Sequence, residues 1–433
     1  MSYRTTQLFS IDNPLRFKQQ LLTWAKTYET VVWLDSNQHK DTYSVFDGAL
    51  AVDEFTAIQT DSEHAFDKLK EYQSHTKDYL FGYLSYDLKN DTEKLTSANF
   101  DGLQFPALYF FQPKKLIFIK GNSVEFQYLK MEDAEIESDF KAICKSAITT
   151  ANKPTVQQIK QRVQKEAYLA KIDTVLKHIH RGDIYEVNFC QEFYAADTSI
   201  DPLPTFQHLT EISEAPFSAF LKVDDHYALC ASPERYLQKK GNTVSSQPIK
   251  GTAKRVSDPL KDAAIATALA KDEKERAENI MIVDLVRNDL SKTAKKGSVL
   301  VPELCEVHSF KQVHQLISTV QSTLAEDTHP VTVLKDTFPM GSMTGAPKVS
   351  AMQIIEQLEV SKRGLYAGAV GYFTPSGDFD FNVMIRSIFY NAATRYVSYT
   401  VGGAITAKSI PAKEYEECLL KAKAMQQVLL QTS

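Results

Sequence analysis

Apolar residues at Tyr168, Ile172, Val175, Leu176 and Ile179 recur every three to four positions, which predicts a helix. Gly182 is placed to close it in a left-handed C-cap. The period then changes. Over residues 184–193, Tyr185, Val187, Phe189 and Phe193 fall on one side and Glu186, Asn188, Cys190 and Glu192 on the other, which predicts a strand with an apolar back and a polar front. Residues 1–145 read as mainly β with some helix. Aromatic and aliphatic runs at 79–88, 108–111 and 116–120 predict strands, and Lys120-Gly121-Asn122 predicts a hairpin turn. Asp258-Pro259 has the form of an N-cap and N1 and predicts the start of a helix pair. Residues 379–389 alternate again, with Phe379, Phe381, Val383, Ile385 and Phe389 on one face and Asp380, Asn382 and Arg386 on the other.

The polar stretch 149–154 is the best boundary between two regions, 1–150 and 155–433. Its shortness predicts that the two halves pack together. There is no internal repeat and no low-complexity tract. The fold class expected is α/β in the α+β sense.

Composition narrows the class. The chain has 433 residues, 43% apolar and 24% charged, which excludes a disordered, collagen-like or coiled-coil protein. Lys plus Arg is 49 against 54 Asp plus Glu, a net charge of −5, which argues against a nucleic-acid partner. No apolar run approaches the roughly 20 residues of a membrane span. No apolar h-region opens the chain, so no membrane association and a cytoplasmic location are expected. Cys144, Cys190, Cys230, Cys305 and Cys418 are scattered and form no CxxC pair, which suits reduced thiols.

Four groups of residues could carry chemistry. Glu275 and Glu278, three apart on one helix face, continue into Ile282 and Leu285, so the carboxylates lie on a core-like stripe. Glu414 and Glu417 repeat that spacing near the C-terminus. Two such pairs could hold a hard cation such as Mg²⁺, or could be ordinary solvated helix faces. Lys250, between Ile249 and Gly251, would have a lowered pKa and act as base or amine nucleophile if desolvated, or else be a surface lysine at a strand end. Residues 338–348 form a small-residue loop running into a helix, a place for an anion or a plain helix entry. Arg386 could clamp a carboxylate or pair with Asp380. Eight of the sixteen glycines lie between Gly341 and Gly403, where backbone could approach a ligand or form tight turns. Together these suggest a metal-assisted site for a small polycarboxylate.

Residues 232–235 (S-P-E-R), 248–252 (P-I-K-G-T), 278–289 and 338–348, in this order along the chain, together resemble the chorismate-utilising enzymes. That family includes component I of anthranilate synthase and of aminodeoxychorismate synthase, and the isochorismate and salicylate synthases. The similarity is strong over about 160–430 and weaker before residue 145, through Tyr43–Asp47 in the form Y-S-V-F-D and through G-Y-L-S-Y-D at 82–87. It implies an anthranilate synthase component I-like fold, with large antiparallel sheets packed against flanking helices. Lys250, where anthranilate synthases carry alanine, points among these enzymes to the aminodeoxychorismate synthases component I.

The resemblance implies roles. The lysine matching Lys250 is the nucleophile on ring carbon 2 of chorismate. The glutamate matching Glu234 protonates the departing carbon 4 hydroxyl, and ammonia then adds at carbon 4. Mg²⁺ is the expected cofactor, with Glu278 and Glu417 as metal glutamates and Glu275 and Glu414 beside them. Tyr366 and Arg386 match binders of the enolpyruvyl carboxylate. Gly402, Gly403 and Ala404 match a backbone strip against the substrate. Gly251, Thr252 and Thr344 are expected at the same cleft, and His314 matches an active-site histidine. Ala404 departs from a frequent glycine. Glu186 stands where aminating members carry glutamine and water-adding members a lysine base. Ser36, Tyr43, Ser44 and Phe46 match part of a pocket in which relatives hold tryptophan, but Trp33-Leu34-Asp35-Ser36 departs from the L-L-E-S of feedback-inhibited relatives, so regulation is not expected. No cysteine has a G-x-C-x-G setting, so ammonia is expected from a separate glutamine amidotransferase subunit. The alternatives are anthranilate synthase component I and a silent chorismate-binding subunit.

Overall fold

The computed structural model describes residues 3–39, 44–148, 156–310 and 313–430. The proposed boundary at 149–154, and Tyr43, lie outside the described residues. Among the described residues the strands form one twenty-stranded sheet in which every strand pairing is antiparallel. It branches at the long strand Leu108–Lys120, which spans both predicted runs and turns at Gly121 into Ser123–Leu129.

One arm runs from that strand through Gly48–Thr60, Thr30–Asp35, Phe217–Val223, His226–Ser232, Ser387–Asn391 and Tyr396–Thr406 to Glu186–Ala195. The other runs through Leu80–Leu84, Ala369–Phe373, Phe379–Val383, Arg235–Lys240 and Thr243–Ser246 to Val313–Thr323, which also pairs with Ile249–Lys254 and Leu300–Ser309. Each arm therefore mixes strands from before and after the expected boundary.

Alternation along the strands feeds two cores. Val32 and Leu34 point into one and Val31 and Trp33 into the other, so this strand is buried on both faces. The outer core is capped by helices such as Lys165–Arg181, which ends on Gly182 at φ +87° as expected, and Pro411–Leu430. The inner core takes the apolar stripe of Glu273–Ser291, with Ile282, Val283, Val286 and Leu290. The predicted helix pair is present as Pro259–Lys271 and Glu273–Ser291. Asp258 caps the first by accepting from the amides of Leu260 and Lys261.

Two of the chain's crossings between the arms lie side by side. Ser232 ends a strand of the first arm and Arg235 opens one of the second, with Pro233 and Glu234 between them. Val383 and Ser387 do the same in reverse. The crossings are joined by backbone hydrogen bonds from Val383 to the Glu234 carbonyl and from Ala231 to the Arg386 carbonyl. The continuous strand expected over 379–389 is therefore two strands, broken at Met384–Arg386, where Arg386 has φ +53°. Alternation within each piece keeps the sequence pattern regular across the break.

Candidate active site

A cleft of about 1220 Å³ opens between the ends of the two arms. Both arms, the two crossings and two acidic helices contribute to its lining. Lys250, Gly251 and Thr252 come from the second arm. Gly402 and Ala404 come from the first, and Glu234, Tyr366 and Arg386 from the crossings and the adjoining loop. Glu275, Glu278, Glu414 and Glu417 come from the two helices, and all of these line the cleft.

Lys250 owes its direction to a bulge. Ile249 pairs with Ile317 and Thr252 with Gln315, so one extra residue is accommodated here, with Gly251 at φ +85°. The bulge turns the ammonium across the cleft to Glu186 of the opposite arm, Nζ to Oε1 3.0 Å. Burial draws the lysine's pKa down, but the Glu186 carboxylate, helped by Glu278 and Glu234, outweighs it and holds the amine above its ordinary value. The lowered pKa expected from desolvation alone is thus reversed, because the sequence neighbourhood of Lys250 does not contain its partner.

Glu234 is buried on its crossing, and Ser342 donates a 2.6 Å hydrogen bond to its Oε1. Burial pushes this carboxyl up to about 7, against the smaller opposing effects of Ser342 and Lys250. Ser342 belongs to the loop foreseen as an anion site. The loop's role here is to present Ser342 and Met343 to the cleft.

Arg386 faces the cleft rather than Asp380, which accepts two hydrogen bonds from Arg235. Burial pulls the Arg386 guanidinium below its usual value. Tyr366 is buried beside it, with its hydroxyl 3.6 Å from Cys190 Sγ. Gly402 leaves no room for a side chain on its cleft strand, since a Cβ there would lie 2.3 Å from Cys190 Sγ.

Three expected residues are not part of the cleft lining. His314 is turned away from the cleft, accepting or donating through Nδ1 to Ser309 Oγ at 2.8 Å and through Nε2 to Asp262 at 3.1 Å. The reason is register. Thr252 opposes Gln315 and Ala253 opposes His314, so Gln315 shares the cleft face with Thr252 and His314 the other. Thr344 is fully buried, and its hydroxyl bonds to the Met340 and Gly341 carbonyls. Gly403 alternates away from Gly402 toward the C-terminal helix. Sequence reasoning missed Gln315, Lys274 and Lys421. Only strand phase gives the first. The helical offset of four does link Lys274 to Glu278 and Lys421 to Glu417.

Among the described residues no three His, Cys, Asp or Glu side chains stand close enough to make a ready cation cage. The donors still suit a hard divalent ion, which commonly takes one or two carboxylates and leaves the rest of its shell to water and ligand. Glu414 Oε2 and Glu417 Oε1 lie 3.6 and 3.9 Å from one point, the position a Cβ on Gly403 would take. Burial pushes Glu278 up to about 7 and raises Glu275 and Glu414. For Glu417 burial is outweighed by Lys421 at 2.7 Å, which holds it below the usual range. Three carboxylates so disfavoured as anions are the surroundings a cation would relieve.

Ser36, Ser44 and Phe46 meet in a separate small pocket of about 50 Å³, with Phe217, Arg235 and Asp380 in its wall.

No helix among the described residues is long and apolar enough to cross a membrane. The chain is similar to component 1 of aminodeoxychorismate synthase of Bacillus subtilis, 31% identical over 389 residues that cover 87% of this chain and 80% of that one. The similarity to component 1 of Escherichia coli K12 is 42% over 253 residues, 58% of this chain and 55% of the relative. With the aminodeoxychorismate synthase of Streptomyces griseus it is 43% over 277 residues, 64% and 38%. The chain thus spans less than two thirds of the length of several curated relatives it matches. Among solved structures, anthranilate synthase component I of Streptococcus pneumoniae superposes with a TM-score of 0.78 at 26% identity, covering 90% of this chain and 94% of that one. The menaquinone-specific isochorismate synthase of Escherichia coli gives 0.76 at 16% identity, covering 98% and 95%, a likeness of fold alone. The expected anthranilate synthase component I-like fold is the one observed. The family model described as chorismate binding enzyme matches residues 27–427, and the chain belongs to that family.

Proposed function

We propose that this protein aminates chorismate to 4-amino-4-deoxychorismate, the step that leads towards para-aminobenzoate and folate, in the cytoplasm. The observation that carries the reading is Lys250, a side chain aimed into a cleft whose other groups include the buried Glu234 carboxyl and Arg386, which has no side-chain partner among the described residues. The names of the relatives from Bacillus subtilis and Escherichia coli support it.

Arg386 and Tyr366 bind the enolpyruvyl carboxylate, the guanidinium offering two parallel donors. Glu278 and Glu417, with Glu275 and Glu414 beside them, would hold Mg²⁺, which when bound neutralises and orients the ring carboxylate. Lys250, as a neutral amine, attacks ring carbon 2, the double bond shifts, and the carbon 4 hydroxyl leaves as water with the proton of Glu234. Ammonia adds at carbon 4 and the Lys250 amine departs from carbon 2. The excess proton on the new amine restores Glu234. Ammonia comes from a glutamine amidotransferase subunit, in keeping with the "component 1" in the relatives' names.

The test is incubation with chorismate, Mg²⁺ and ammonium chloride, followed by product identification. Aminodeoxychorismate, converted to para-aminobenzoate only when a lyase is added, is the expected result. The second reading, favoured by the Streptococcus pneumoniae structure, is anthranilate synthase component I. Anthranilate and pyruvate without added lyase would establish it. Chorismate binding without turnover would make the chain a silent subunit.

A further inference from the structure

The contact between Glu186 and Lys250 spans the two arms of the sheet. Glu186 is 1% exposed, and its backbone is fixed from both sides by pairing with Thr406 and Ala346. Oε1 accepts from Lys250, while Oε2 is buried with no hydrogen-bond partner among the described residues. A buried carboxylate with one oxygen unmet is costly as an anion and much less so as a neutral acid. Lys250 has the converse problem. Its ammonium is stabilised by the pair, and an ammonium has no lone pair with which to attack. Glu234 on its crossing, Glu275 and Glu278 on their helix and Glu417 on the C-terminal helix also face Lys250, with Lys274 beside Glu278, but among the described residues only Glu186 bonds to it.

We propose that Glu186 is a positioning residue that aims Lys250 and accepts its proton when chorismate binds. The claim rests on Lys250 being the nucleophile. The step is the transfer of one proton from Nζ to Oε1, converting ammonium and carboxylate into amine and carboxylic acid, with no change in net charge and nothing consumed. Expulsion of water by a substrate filling the cleft favours that neutral pair over two buried ions. The amine then attacks carbon 2. When ammonia releases it, the free amine takes the proton back from Glu186. Glu234 thereby keeps its own proton for the leaving hydroxyl.

The test compares wild type with Glu186→Gln, which keeps the shape and removes the charge. Lys250 is followed by reductive methylation with formaldehyde and borohydride across pH, read by peptide mass. In wild type, Lys250 should become half-reactive no lower than an ordinary lysine, about pH 10.4. In the variant that pH should fall by at least about one unit, a roughly tenfold faster modification at neutral pH. In parallel, kcat/KM for chorismate in the variant should gain an acid limb of unit slope that wild type lacks, because the proton must now leave to solvent. A purely structural role would lower activity without moving either profile. Identical profiles overturn the proposal. So does wild-type Lys250 that reacts readily at neutral pH, a result that needs no variant to fold. If Lys250→Ala retains full turnover, the nucleophile reading falls and the proposal with it, even where the methylation profile still shifts.

Discussion

Ser342 donates its hydroxyl to Glu234 Oε1 at 2.6 Å, across an interval of 108 residues, and so fixes which oxygen of that carboxyl is free to carry a proton into the cleft. Glu234 has a folded pKa of about 7, raised by burial. It is protonated below that value and loses its capacity as an acid as pH rises through it. The Ser342 hydrogen bond favours the anion, so Ser342→Ala should raise the pKa further. The basic limb of kcat/KM should move up by about one pH unit, within the range of a hydrogen bond to a charged group. Glu234→Gln should cost about 10²–10⁴-fold in kcat, the usual worth of a general acid. A basic limb that stays in place in both the wild type and Ser342→Ala would separate it from Glu234.

Arg386 has no side-chain partner among the described residues, so its donors are available to a substrate carboxylate. Arg386→Met should lower kcat/KM for chorismate by roughly 10- to 100-fold, the loss of charge-assisted bonds of about 1.5–3 kcal/mol. Urea denaturation should show little change in stability, since the native protein loses no internal ion pair. An unaltered kcat/KM would remove Arg386 from substrate binding.

Chelation by EDTA should abolish turnover, and added Mg²⁺ should restore it. Glu417→Gln should raise the Mg²⁺ concentration for half-activation at least about tenfold, as removal of one of few charged ligands does. Full activity in EDTA would eliminate the metal.

Gly251→Ala would force a side chain into φ +85° and place its Cβ 3.1 Å from both Glu275 and Leu316. The backbone strain alone costs about 1–3 kcal/mol. The bulge should relax and Lys250 swing off line, so kcat should fall more than KM rises. A variant with wild-type kinetics would show that the bulge does not aim the lysine.

Arg363 is a purely structural counterpart. Its guanidinium is buried with Glu359 at 2.7 Å and also donates to the Asn188 and Met343 carbonyls behind the cleft. Arg363→Leu leaves a buried carboxylate alone and should cost about 3–5 kcal/mol in urea unfolding. A loss below the error of the measurement would mean that the pair is dispensable.

Local signals were readable where the physics is local. The Asp258 cap, the Gly182 stop and the Lys120-Gly121-Asn122 turn depend on neighbours in sequence, and all three are present. The same is true of the acidic pairs, which helical spacing alone puts on shared faces. What failed depended on strands far away in the chain. Residues 313–323 are buried on both faces, so composition gives no phase. Only the pairing of Thr252 with Gln315 tells that His314 points outward from the cleft. The break at Arg386 is likewise set by a second crossing at Glu234. The protonation of Lys250 turned on Glu186, 64 positions earlier in the chain.

The pairing of Leu80–Leu84 with Ala369–Phe373 carries a consequence for dissection. Both strands are wholly buried, and they stitch the early part of the polypeptide into the arm that ends at Lys250. Trimming the protein to its most recognisable stretch would strip a greasy ribbon of its neighbour and offer it to any passing chain. Such a fragment should clump rather than catalyse, because the amine's scaffold begins well upstream of the residues that do the chemistry.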